Sequence, residues 1–202
     1  MFTNLISRLT DLTREDSAPT ASLSGGVVNG LASAGVLFRS VVRELRRDGI
    51  KFDQSRLHLS LVNDFGTSEY NGLGQVLGLT DIEVMRFVTF DVSARATDIR
   101  ILRGLSPVRF QVVAAHELGH VWLANQKAVS LPDWCCEGFC ELVAYRFAGR
   151  LGTVEGRLEQ ARISANPDPL YGGGFRRVIA YGQRVGFQSL CATLSDSDIS
   201  RL

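Results

Sequence analysis

Two of the three histidines in this chain, His116 and His120, stand four residues apart, with Glu117 directly after the first. No other feature constrains the fold as much. Residues four apart on an α-helix share a face, so the two imidazoles aim at a common point. The surrounding residues, from Val108 through Leu123, are apolar on most sides of such a helix, which therefore has to be buried. Burying two imidazoles and a carboxylate is costly without a partner, and a cation serves all three. Imidazole nitrogen suits zinc, and two such ligands make half of a tetrahedral site. A glutamate beside the first histidine lies next to the ion rather than on it, where it can take a proton from an activated water. The same short pattern also arises by chance on ordinary helices, so the remainder of a site has to be found elsewhere.

A catalytic zinc site needs a third protein ligand and one open position. Glu137 is the candidate, in the stretch Pro132-Asp133-Trp134-Cys135-Cys136-Glu137-Gly138-Phe139-Cys140-Glu141. Asp133 reads as an N-cap and Gly149 as the residue just past the helix end, with Trp134, Phe139, Leu142, Val143 and Phe147 as a packing face. Glu137 then sits in the early turns of a second helix, antiparallel to the first. Glu141, one turn on, is spaced to bond the outer nitrogen of a ligating histidine. The plainer reading of both glutamates is a solvated helix face. Upstream, Ser106-Pro107 supplies an N-cap and a proline at the first helical position, and the histidine helix should run to about Asn125.

The 202 residues suit one domain, or one domain with an appendage, and can bury a real core. A net charge of +1 argues against a nucleic-acid footprint and against a polybasic membrane patch. Cys135, Cys136, Cys140 and Cys191 do not make a disulfide framework in a chain this long; they read as reduced thiols, as in a cytoplasmic protein. A thiol close to the metal could act as a redox-sensitive ligand. At the N-terminus, Phe2, Leu5, Ile6, Leu9 and Leu12 have helical spacing, but Arg8 and Asp11 interrupt it. This is neither a signal-peptide core nor a bilayer span, and reads as a docking arm for some partner. Arg14 to Asn29 reads as a flexible linker, so the expected division is an arm and linker over 1–29 and a domain over 30–202.

Within the domain, Leu37, Val41, Val42 and Leu45 mark a helix from Leu31 to Asp48 that stops at Gly49, with Arg43, Arg46 and Arg47 on a solvated face. Leu57, Leu59 and Leu61 alternate as in a half-buried strand; His58 falls on its other face, structural or exposed rather than a ligand. Short apolar runs at Gln75–Leu79, Val84–Phe90 and Ile99–Leu102 complete a small, mainly antiparallel sheet. The last run precedes the histidine helix, so it is expected to border the cleft as an edge to which an extended peptide could add as a strand. A third helix follows at about Val154–Ser164, a loop at Ala165–Pro169, and a helical stretch from Tyr171 through Phe187. The glycines of Tyr171-Gly172-Gly173-Gly174-Phe175 lack a phosphate-loop pattern and fit a close backbone passage. Tyr171 either faces the cleft, where its hydroxyl would donate to an oxyanion, or is a core residue with that hydroxyl satisfied. Tyr181 is the second candidate. The fold class is α+β, with a helical part after the histidine helix.

Taken together, three stretches resemble the peptidase domain of the plant organ-size regulators called the DA-one family. They are His116 to Leu123, Cys136 to Leu142, and Tyr171-Gly172-Gly173-Gly174-Phe175-Arg176 with Tyr181-Gly182. Phe52-Asp53-Gln54 and Leu102-Arg103-Gly104-Leu105 resemble it in the same order, and the likeness runs from about Val36 to the C-terminus. The resemblance implies a zincin-like fold of the glutamate-ligand class, with His116, His120 and Glu137 on zinc and Glu117 as general base. In the wider class, which includes thermolysin and the zinc aminopeptidases, an acidic residue in the place of Glu141 orients a ligand histidine. The aminopeptidase pattern of Tyr with Gly-Phe three residues later resembles Tyr171 with Gly174 and Phe175, and favours Tyr171 as transition-state donor. The plant proteins carry LIM zinc modules and ubiquitin-interacting segments ahead of this domain. Four cysteines are too few for those here, so the likeness is to a minimal form, and neither ubiquitin-dependent activation nor growth-regulator substrates carry over.

The expected activity is zinc-dependent hydrolysis of peptide bonds, with Glu117 moving the proton and a peptide or protein as substrate. The rival classes are a metal- or partner-binding module without turnover, and a hydrolase of a non-peptide amide.

Overall fold

The computed structural model describes residues 26–53, 55, 57–65, 76–86, 92–126, 128 and 131–196. The expected N-terminal arm, most of the linker, and residues 87–90 of one apolar run lie outside these. The end of the linker does not behave as one: Val28 is buried and bridges Leu105, its amide donating to the Leu105 carbonyl at 2.8 Å. An apolar side chain with a core to enter and a backbone partner is held in place, whatever its small polar neighbours favour.

Helix α1 (Leu31–Arg47) buries Ala34, Leu37, Phe38, Val41, Val42 and Leu45, the spacing of one helical face. It ends at Gly49, whose φ of +88° suits glycine. Its C-terminal Asp48 accepts two hydrogen bonds from Arg146, at 2.7 and 2.8 Å, and pairs with Arg150, which ties α1 to the third helix.

Strands β1 (His58–Val62), β2 (Gly78–Arg86) and β3 (Val92–Leu102) form one sheet in the order β1-β3-β2. β1 runs parallel to β3 and β2 antiparallel to it, so the sheet is mixed rather than mainly antiparallel. Ile99–Leu102 is therefore no edge. Those residues pair with Leu59–Val62 on one side, and Ile99–Ile101 pair with Gly78–Thr80 on the other. Apolar alternation specifies which face of a strand is buried but not which strands flank it. The runs beginning near Gln75 and Val84 also join into one strand. Asp81 does not break β2, because its carboxylate points to the polar face and takes two hydrogen bonds from Arg100.

Helix α2 (Pro107–Asn125) carries the two histidines. Ser106 caps it, accepting from the Arg109 amide at 3.3 Å, and Pro107 opens it. It packs against β2 and β3 on one side and against α1, α3 and α4 elsewhere, which is why it lacks a polar face. The helical part follows: α3 (Asp133–Arg150), α4 (Val154–Ala165), α5 (Tyr171–Val185) and α6 (Phe187–Ser195). Asp133 lies in the first turn of α3 rather than capping it, and Gly149 is helical; the glycine of positive φ that follows is Gly152. Gly186, with φ +87°, separates Phe187 from the helix that begins at Tyr171. Among the described residues, no helix is long and apolar enough to cross a membrane.

Candidate metal centre and cleft

Two close helix contacts made at glycines bring the site together. A Cβ on Gly119 would lie 2.9 Å from the Cys140 Sγ and 3.0 Å from its Cα, so α2 and α3 approach there at the distance glycine permits. Two residues before Cys140 on α3, a Cβ on Gly138 would lie 2.4 Å from the Gly174 carbonyl carbon, and one on Gly174 would lie 2.2 Å from the Trp134 carbonyl oxygen. The triple-glycine stretch thus serves as a close backbone passage, with α5 lying directly on α3.

This packing sets Glu137 against both histidines. Its Oε2 is 3.2 Å from His116 Nε2 and 3.6 Å from His120 Nε2, and the two imidazole rings are 5.1 Å apart. Glu141 Oε1 lies 3.5 Å from the other nitrogen of His116, Nδ1, the outer position its spacing implied. Burial alone would lower the pKa of His116, but Glu137 and Glu141 outweigh it and raise the value well above that of an ordinary histidine. Burial alone would raise Glu137, and the two imidazoles hold it well below the usual carboxylate range. Glu141 is likewise lowered, by His116 against its own burial.

Despite this pairing, Glu137 Oε2 is buried and accepts no properly oriented hydrogen bond among the described residues. Buried carboxylate oxygens without a donor are rare, and an atom or ion missing between the groups is one explanation. Two imidazoles and a carboxylate, with a second carboxylate behind one imidazole, are a donor set that suits a divalent cation. Cys140 is a further donor: its Sγ and one nitrogen of each histidine all lie within 4.8 Å of one another. Its thiol is fully buried, and burial together with the nearby carboxylates pushes its pKa well above the ordinary value, whereas Glu137 is already an anion. Glu137 is therefore the readier third ligand. Burial pushes the Cys135 thiol up to about 12 and Cys136 up to about 11, so neither is a reactive thiolate at neutral pH.

Glu117 is 4 % exposed and lines a cleft of about 670 Å³ together with His116, Glu141 and Tyr171. Thr80 Oγ1 on β2 donates to Glu117 Oε2 at 2.7 Å, and Gly78 keeps β2 close, since a Cβ there would lie 2.5 Å from Glu117 Oε1. Sequence reasoning missed both residues; the signal was a glycine and a hydroxyl on either side of Leu79, at the start of a strand. Tyr171 begins α5, where Asp168 Oδ1 accepts from its amide at 3.0 Å, and its ring is 6.3 Å from that of His116. Tyr181 is not in the cleft. It is buried towards α6, with its hydroxyl 3.3 Å from Thr193 Oγ1, and is set aside as an oxyanion donor. Three turns of helix separate it from Tyr171, which is enough to put it on a different contact. His58 lies on β1 outside this cleft. No protein-family model, curated protein or solved structure matches this chain.

Proposed function

We propose that this chain is a zinc-dependent peptidase of the glutamate-ligand zincin class, similar to the DA-one peptidase domain. The observation that carries the reading is the convergence of His116, His120 and the orphaned Glu137 oxygen, with His116 and Glu117 both on the wall of the cleft. His116, His120 and Glu137 would hold the zinc, and Glu141 would keep His116 oriented through Nδ1. Bound there, zinc supplies Lewis acidity towards a scissile carbonyl and the attacking water.

The chain's own groups do the rest. Glu117 accepts the water proton at a carboxylate oxygen and returns it to the leaving amine. Thr80 holds that carboxylate in place from β2. Tyr171, on the cleft wall, donates to the oxyanion. Among the described residues β2 pairs on one side only, and Val76, Leu77 and Gly78 line the cleft, so an extended peptide adds along β2 rather than along Ile99–Leu102.

Metal analysis and a peptide-library digest of the purified chain test this. Glu117→Gln should keep stoichiometric zinc and lose about 10²- to 10⁴-fold in cleavage, whereas His120→Ala should lose the metal as well. Cleavage by Glu117→Gln at the wild-type rate would remove Glu117 as base. A second reading, a closed metal-binding module without turnover, is favoured by the nearness of Cys140 to both histidines. It predicts a sulfur-to-cobalt charge-transfer band in the cobalt-substituted protein that disappears in Cys140→Ser, with the library left intact.

A further inference from the structure

The cleft extends past the histidines to a second set of charged groups. Arg109, on the first turn of α2, and Arg162, on α4, both line it. The two guanidinium groups share one acceptor atom. Arg109 Nη1 lies 2.5 Å from Glu159 Oε2, and Arg162 Nε donates to the same oxygen at 2.8 Å. Among the described residues, the hydrogen bonds of both guanidinium groups go to Glu159 alone.

No carboxylate lining the cleft hydrogen-bonds either guanidinium among the described residues, although the Glu141 charge attracts both. Glu117 accepts from Thr80, Glu141 faces His116 Nδ1, and Asp168 accepts from the amides of Leu170 and Tyr171 at the start of α5. Each guanidinium has five N–H donors in a planar fork that matches the two oxygens of a carboxylate. Two forks that share one carboxylate oxygen keep most of those donors for something else. Arg109 is largely buried, with 22 % of its side chain exposed, so water meets those donors less well than at a surface.

We infer that Arg109 and Arg162 form a carboxylate-binding subsite of the cleft, which selects ligands carrying an acidic side chain or a free C-terminal carboxylate. The inference rests on the peptidase reading for its link to cleavage, but not for the binding itself. Arg109 precedes His116 by seven positions, about 10 Å along the helix axis. An extended peptide covers that in about three residues, so the selected carboxylate lies within a few residues of the scissile bond.

Two measurements on the full chain test it. Zinc-loaded protein is given acetylated, amidated hexapeptides matched in pairs, Glu against Gln at each position, and a second set matched as free acid against amide. Binding of the same peptides to metal-free protein is followed through the Nε–H resonances of Arg109 and Arg162. A preference of about tenfold or more for Glu at one position, or for the free acid, is expected, together with a saturable shift of both resonances. Which set responds tells a side-chain carboxylate from a chain end. Arg162→Gln, a substitution at the more exposed member, should abolish the preference and the Arg109 shift. Equal cleavage within every pair, with no guanidinium shift, overturns the subsite and leaves the peptidase reading standing. Carboxylate-dependent shifts without any cleavage sustain the subsite and remove the peptidase reading.

Discussion

The two ends of the cleft are built in opposite ways. At the metal end, α2, α3 and α5 meet through glycines, and His116, His120, Glu137 and Glu141 pair with one another on two facing helices. At the arginine end, the side chains are long, partly exposed and reach across from α2 to α4. The first arrangement leaves no slack: ligand distances there follow from how closely two backbones approach. The second can change its side chains without moving a helix. On the proposed reading, the metal chemistry sits where main chain sets the geometry, and ligand selection sits where side chains can vary.

The sharpest way to break that contrast is to press on a glycine of the metal end. A Cβ at Gly174 meets the Trp134 carbonyl at 2.2 Å, whereas one at the adjacent Gly173 finds its nearest atom at 3.7 Å. Gly174→Val should cost about 3 kcal/mol by overpacking and lower metal affinity with it. Gly173→Ala should instead stabilise the helix by about 0.5–1 kcal/mol. Chemical denaturation with metal titration reads both, and equal effects at the two positions would mean that α5 does not rest on α3 as described.

Proton competition sharpens the comparison at intermediate size. Without metal, His116 holds a proton that Glu137 and Glu141 stabilise, and a cation has to displace it. Metal affinity should therefore fall about tenfold per pH unit below the raised pKa of His116, with the decline starting above the usual histidine range. Metal-free stability has two limits. The His116 contribution is present below about pH 6.5 and is lost as pH rises through the raised value; that of Glu137 is present above about pH 4.3 and is lost as pH falls through its lowered value. Metal binding and denaturation midpoints followed across pH check both limits.

The smallest expected effect is at the strand side of the metal end. Thr80→Val removes a single donor to Glu117 and nearly preserves shape, so cleavage should slow by about three- to tenfold with zinc retained. An unchanged rate would show that β2 contributes nothing to holding the base.

Much of the metal end was legible because its determinants are local. The four-residue spacing of His116 and His120, the Ser106-Pro107 start and the Glu137–Glu141 interval are all helical arithmetic, and each reappears at the same place in the structure. Tyr171 and Tyr181 show where such arithmetic stops. Both are tyrosines followed by glycine in one helix, yet only the packing of α5 on α3 decides that the first lines the cleft and the second turns towards Thr193. The sheet order was hidden for a similar reason. Ile99–Leu102 has the pattern of any half-buried strand, and nothing in its own residues tells that partners lie on both sides. Glycine was the least readable residue of all, since Gly119, Gly138 and Gly174 matter for what a side chain there would hit.

By itself, then, the sequence determined where α1 to α5 form, though not α6, and which side chains share a face, because helix periodicity and capping depend on residues a few positions apart. Tertiary structure alone decided which faces meet: that the Glu137 carboxylate comes within 3.6 Å of both imidazoles, that β2 supports Glu117, and that two arginines from different helices share one glutamate. Those contacts join residues far apart in the chain, and their geometry follows from close packing, for which no short stretch of sequence holds the information.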